Sequence, residues 1–255
     1  MWGITLPSTL DMLGHKMIPA SASSMNKMGI CPSQFDAQYV GRHVPKIPFA
    51  PNEATAKGEK FHAIIETAAK NRTHVTDNDL TCEIINSHLD LCYAMPMVMI
   101  EKDFGWNDET QSREWRGRKL GVRADLFAKN GELGVYIDWK TGKVKTQTLQ
   151  AELTAYILFQ NYPDLTQITS RFIYVEHSQM VDYVFTRDTQ YVESLFALVN
   201  QEWMQYPSET LTIKLDLLLA EYWDHQKVKE FPAVKNGLCK QWCQVTTCKH
   251  HGGRE

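Results

Sequence analysis

A chain of 255 residues with 43% hydrophobic and 22% charged side chains has the composition of an ordinary soluble globular protein, long enough for one domain with a sizeable core. Its formal charge of -3 excludes attraction to nucleic acid by overall positive charge, so any such binding must come from local basic surface. No apolar run approaches the roughly 20 residues of a membrane span, and the opening Met1-Trp-Gly-Ile-Thr-Leu-Pro lacks the basic segment and apolar core of a secretion signal. A cytoplasmic protein without membrane partners is expected.

In chain order, residues 1–20 mix Gly, Pro and polar residues without period and read as an arm. Ser23 or Ser24 then caps a predicted helix carrying Met25, Met28, Phe35 and Tyr39, with a break at Cys31-Pro32. A Pro-rich connector is predicted over 44–51. From Ala54 a helix buries Phe61, Ile64, Ile65 and Ala68, and a second over 77–92, capped by Thr76 or Asp77, buries Leu80, Ile84, Ile85 and Leu89. The period then shortens: strands are predicted over 97–104, 114–119, 122–128 and 133–140, with a tight turn at 129–132. A helix over 146–160, strands over 167–175 and 180–186, and helices over 189–205 and 210–223 complete the chain. This order predicts a single α/β domain with a mixed sheet: a helical part at 21–95, a sheet core at 96–186 and a C-terminal part at 187–255.

The chemistry concentrates in one predicted hairpin, Gly121-Val-Arg-Ala-Asp125 leading to Ile137-Asp138-Trp139-Lys140-Thr-Gly142. Hydrolysis of a phosphodiester needs charge neutralised on phosphoryl oxygens, a hydroxide generated near neutral pH and a leaving oxygen stabilised. A carboxylate-held divalent metal serves all three needs. Asp125 and Asp138 are the candidate ligands, with the Trp139 carbonyl as a third, a set suited to Mg2+ or Mn2+. Lys140 follows Asp138 by two residues and shares its strand face, where an ammonium can orient water or screen phosphate. Basic residues flank the hairpin, namely Arg113, Arg116, Arg118 and Lys119 before it and Lys143 and Lys145 after it, and they make DNA a candidate partner.

The six cysteines do not read as a disulfide framework. Cys82 and Cys92 lie among apolar residues as core, while Cys239, Cys243 and Cys248 crowd the C-terminal end and suggest a metal site. Thiolates suit tetrahedral Zn2+, with His250 or His251 able to replace one cysteine.

These motifs, in this order, resemble the PD-(D/E)XK nuclease superfamily and its RecB-like branch, which includes CRISPR-associated adaptation nucleases and phage exonucleases. The resemblance covers most of the chain. Gly58-Glu-Lys-Phe-His62 matches the branch's Gly-x-x-x-His helix, whose histidine ligates or supports the metal, and Asp138-x-Lys140-Thr-Gly142 matches its signature strand end. Glu152-Leu153-Thr-Ala-Tyr156 aligns with a Gln-Leu-x-x-Tyr motif, Glu standing in place of Gln; Gln150 lies two residues earlier. Glu101 matches an acidic position of the branch. Cys31 with Cys239, Cys243 and Cys248 resembles the subset whose 4Fe-4S cluster joins the chain ends, although the C-terminal spacing differs from that subset.

The resemblance therefore implies a restriction-endonuclease-like core with a metal clasp. It implies a Mg2+- or Mn2+-dependent DNA exonuclease of phage or bacterial origin, working in recombination, repair or processing, alone or with a recombination or adaptation partner. A phage-encoded protein would act in the host cytoplasm. A non-catalytic DNA-binding accessory protein and an endonuclease of the same fold are the alternatives.

Overall fold

A computed structural model describes residues 17–47, 53–187, 195–199, 202–206, 211–240 and 242–253. The arm predicted over 1–20 falls outside them up to residue 16, as does the connector beyond residue 47. The helices are α1 (Ala22–Ile30), α2 (Pro32–Phe35), α3 (Glu53–Asn71), α4 (Cys82–Tyr93), α5 (Thr148–Asn161) and α6 (Leu211–Val228). The strands are β1 (Met97–Trp106), β2 (Leu120–Asn130), β3 (Leu133–Lys140), β4 (Gln167–Tyr174), β5 (Gln179–Thr186), β6 (Leu195–Val199) and β7 (Glu202–Tyr206). Among the described residues no helix is long and apolar enough to cross a membrane.

The chain divides into two compact units: a terminal unit of Met1–Ala50, Gly105–Gly121 and Thr212–Glu255, and a sheet unit of Pro51–Phe104 and Val122–Leu211. The sheet order is β1-β2-β3-β4-β5, with β2·β3 and β4·β5 antiparallel and β3·β4 parallel. The parallel pair is joined by α5, as a crossover requires. The result is an α/β fold with a five-stranded mixed sheet flanked by helices.

Alternation along the strands decides what each face meets. Ile137 and Trp139 of β3, Leu126 and Ala128 of β2 and Ile173 of β4 pack with Phe61, Ile65 and Ala68 of α3 and Ile85, Leu89 and Cys92 of α4 in one buried core. Tyr136, Asp138 and Lys140 point the other way, and the bonds from Gln150 of α5 reach that face. In the terminal unit, Phe35, Tyr222 and Phe231 form the aromatic centre, with ring centroids 5.5 and 6.0 Å from Phe35. The Tyr222 hydroxyl donates to the Ile18 carbonyl, and the Gln226 side chain accepts the Ile18 N–H at 2.7 Å. These bonds tie the N-terminal segment to α6.

Four expectations need correction. The cap of α1 is Ser21, in a reciprocal box with Ser24, so the helix begins earlier than a Ser23 or Ser24 cap allows. α4 begins at Cys82 because Asp77 spends its carboxylate on the Asp79 N–H at 2.8 Å, closing its own turn instead of opening a helix.

Residues 114–119 form no strand. Asn107 donates from its side chain to the Gly117 carbonyl at 2.8 Å, and Lys119, fully buried, pairs with Asp108 at 2.9 Å and Glu109 at 3.0 Å. Side-chain bonds there replace a ladder. The helix predicted over 189–205 is instead an antiparallel β6·β7 pair, from Leu195↔Tyr206 to Val199↔Glu202. Its Phe, Val, Trp and Tyr suit a pleated surface, and short apolar runs do not distinguish helix from strand by period.

Candidate metal centre

His62 lies on α3, whose buried stripe of Phe61, Ile65 and Ala68 sets the helix's rotation against the sheet. Next to Phe61, His62 stands at the stripe's edge with a third of its side chain exposed. Gly58, one turn earlier, permits close approach: a Cβ there would stand 3.3 Å from the Thr141 hydroxyl, in the turn that follows β3. That turn is completed by Gly142 at φ +81°, a left-handed conformation that favours glycine. The Gly142 N–H donates to Glu176 at 3.0 Å, and Glu176 also pairs with Lys57 of α3.

Asp125 sits where the β2·β3 ladder opens, just before the Leu126↔Ile137 pair. Its Oδ2 accepts the Trp139 N–H at 2.8 Å and lies 3.3 Å from His62 Nδ1. Glu101 of β1 completes the group: ligand atoms of His62, Glu101 and Asp125 all fall within 4.8 Å of one another. Glu101 is also a non-glycine residue at φ +49° inside a strand, a conformation that costs about 1–2 kcal/mol and persists only where the surroundings impose it.

The electrostatics of the group are those of excess negative charge. Burial, and then the Asp138 carboxylate, push Asp125 above the ordinary carboxylate range despite the opposing bond from His62. Burial and then the Asp125 charge do the same to Glu101. For His62, burial and the Lys140 charge act downward, but the bond to Asp125 and the charges of Asp125 and Asp138 outweigh them and the net shift is upward. Each shift would be relieved by a cation placed among these side chains.

Asp138, nearly buried, is held on several sides. Its Oδ1 accepts from the Tyr136 hydroxyl at 2.8 Å and the Gln150 amide at 2.6 Å, and Lys140 Nζ lies 2.6 Å from Oδ2. Lys140 also donates to Gln150 Oε1 at 3.1 Å. Gln150 thus fastens the carboxylate and the ammonium to α5. Glu152 and Tyr156, both buried, are turned about 200° and about 240° around α5 from Gln150 at 100° per residue, so it is Gln150 that bonds Asp138 and Lys140. Tyr136 was not among the sequence-derived candidates. Its signal was its place two residues before Asp138 on the same strand face.

The structure divides the basic residues. Lys119 is buried in its ion pairs, and Arg118 lies over the Trp115 ring at 3.3 Å, whereas Arg113, Arg116, Lys143 and Lys145 are exposed. The indole of Trp139 belongs to the α3–α4 core.

The four cysteines of interest all lie in the terminal unit. Cys31, between α1 and α2, accepts the Val234 N–H at 3.5 Å, and the Cys239 thiol lies 3.7 Å from the Val234 carbonyl. Cys239 also accepts the Asn236 N–H, and Cys248 accepts that of His250. Cys243 and Cys248 pack together with Ala37. The Asn236 amide bonds the Ile30 carbonyl at 3.2 Å, so chain from both ends meets here. Cys92 is core, as predicted, and burial raises its thiol to about 11.

Among the described residues, His62, Glu101 and Asp125 are the group whose ligand atoms gather within 4.8 Å, and no three cysteines do. No protein-family model matches this chain, and comparison with curated proteins finds none similar to it.

Proposed function

We propose that the chain is a Mg2+- or Mn2+-dependent DNA exonuclease with a restriction-endonuclease-like core. The observation that carries this reading is the convergence of His62, Glu101 and Asp125 beside the Asp138–Lys140 pair at one opening in the sheet. One imidazole with carboxylates is a donor set for a hard divalent cation, and the imidazole favours Mn2+ over Mg2+. His62, Glu101 and Asp125 would hold it, with Asp138 and the Trp139 carbonyl nearby. When bound, such a cation neutralises phosphoryl charge and lowers the pKa of a water.

The protein's own groups do the rest. Lys140 presents an ammonium whose direction is set by Asp138 Oδ2 and Gln150 Oε1, suited to orient a water or screen a phosphate oxygen. Tyr136 and Gln150 hold Asp138 in place from the buried side. Exposed Lys143 and Lys145 follow β3 and suit a phosphate backbone.

For the terminal unit we propose a 4Fe-4S clasp on Cys31, Cys239, Cys243 and Cys248. Backbone N–H bonds to three of these sulfurs are of the kind that tune thiolate clusters. Tetrahedral Zn2+ on the same thiolates is the alternative.

The test is cleavage of end-labelled linear and closed circular DNA with Mg2+, Mn2+ or EDTA, comparing wild type with Lys140→Ala. Metal-dependent loss of linear DNA by wild type alone is expected. Cleavage of the closed circle would make the protein an endonuclease, and no cleavage under any condition would leave a DNA-binding accessory protein.

A further inference from the structure

The terminal unit carries a second feature that the nuclease centre does not use. A cavity of about 120 Å³ is lined by Lys27, Gln34, Gln38, Trp242 and Gln244, with Ile47 and Val245 as its apolar wall. Small-molecule sites usually run to roughly 300–1,000 Å³, so this one admits a single ring-sized group and not a whole cofactor.

Its chemistry is selective. Gln34 is only 9% exposed and lines the cavity, as do Gln38 and Gln244, so three side-chain amides face one small space. Trp242 is 68% exposed, the most exposed large hydrophobic side chain among the described residues. Lys27 supplies one ammonium, and among the described residues no carboxylate lines the cavity. That composition disfavours a cation and offers little to a lipid.

An aromatic plate, several amides that both donate and accept, and one ammonium together match a nucleobase with its phosphate. We propose that this cavity is a nucleotide subsite for single-stranded DNA. One base stacks on Trp242, its edge meets the amides of Gln34, Gln38 and Gln244, and the adjoining phosphate pairs with Lys27. The proposal rests on the nucleic-acid reading above and deepens it, because an overall charge of -3 leaves strand capture to local sites such as this.

The test is binding of fluorescein-labelled oligothymidylate to the full chain in EDTA at fixed low salt, with dTMP and a short duplex as competitors. Trp242→Ala is expected to weaken binding roughly tenfold, within the range for one stacked base, and Trp242→Phe to restore most of it. Gln34→Met, which keeps the side-chain volume, is expected to weaken binding several-fold. Competition by dTMP as strong as by unlabelled oligothymidylate assigns the subsite to free nucleotide; weak competition assigns it to a strand.

Equal binding by wild type and Trp242→Ala, preference for duplex alone, or no binding by wild type overturns the proposal. Metal-dependent cleavage with Trp242-independent binding would sink the subsite and leave the nuclease standing. Trp242-dependent binding without cleavage in any metal would do the reverse.

Discussion

The two candidate centres are built in opposite ways. His62, Glu101, Asp125 and Asp138 come from α3, β1, β2 and β3, elements held by ladder bonds and one shared core. Cys31, Cys239, Cys243 and Cys248 lie between short helices, in a 3-10 turn and in loops, with mostly local hydrogen bonds. The first arrangement is organised before any cation arrives, and its repulsion between carboxylates is held in place by the sheet. The second has little beyond Ala37, Val245 and a few backbone bonds to set its sulfurs, so a bound cluster would supply much of its order. Loss of a ligand should therefore cost chemistry in the sheet unit and structure in the terminal unit.

The largest expected effect is on chemistry. Lys140→Ala should lower the cleavage rate by about 10²–10⁴-fold in a chain that still folds, with the melting temperature lowered by the Asp138 charge left without its ammonium, and full activity in that variant would remove Lys140 from the site. Next, Cys243→Ser should abolish bound iron and visible absorbance and lower the melting temperature by several degrees. Full iron content in that variant would remove Cys243 from the clasp. Gln150→Leu, which frees Asp138 and Lys140 from α5, should cost about 10–100-fold in rate or metal affinity, the usual range for residues that orient a ligand.

Asp125→Asn sharpens the contrast through pH. Burial and Asp138 raise the Asp125 pKa in the folded state, so the folded chain binds this proton more tightly than the unfolded chain. Stability is then lost as pH rises from the unfolded carboxylate value through the folded one. Without metal, Asp125→Asn should melt a few degrees above wild type at neutral pH, and the difference should vanish in acid. Added Mn2+ should raise the melting temperature of wild type only. A stabilisation that persisted at low pH would show that repulsion at Asp125 is not the cause.

The smallest effect is expected at Gly58→Ala. Alanine favours the helix by up to ~1 kcal/mol, but its Cβ would press the Thr141 hydroxyl at 3.3 Å. A loss of a few-fold in rate with equal or higher stability is expected, and Thr141→Ala in the same chain should restore the rate.

The sequence by itself determined the alternation that places Ile137 and Trp139 on one face of β3 and Asp138 and Lys140 on the other, because strand period is a local property. It also determined the break at Cys31-Pro32, which follows from the backbone restriction that proline imposes. Asp125, Asp138 and Lys140 were legible as candidates from residue type and spacing, and His62 and Glu101 only through the resemblance to the nuclease superfamily. Their convergence was not, since the ladder's opening at Asp125 and the left-handed Glu101 depend on strands far apart in the chain. Gln150 could be named but not preferred over Glu152 or Tyr156 until α5 was docked on β3. Lys119 read as surface charge and is buried with Asp108 and Glu109, and residues 195–206 read as helix and pair as strands. At Asp125, Glu101 and Gln150 the deciding contacts come from other segments of the chain, which choose which face is buried and which charges meet, whereas β6 and β7 pair as chain neighbours and were missed because the period of a short apolar run does not separate helix from strand.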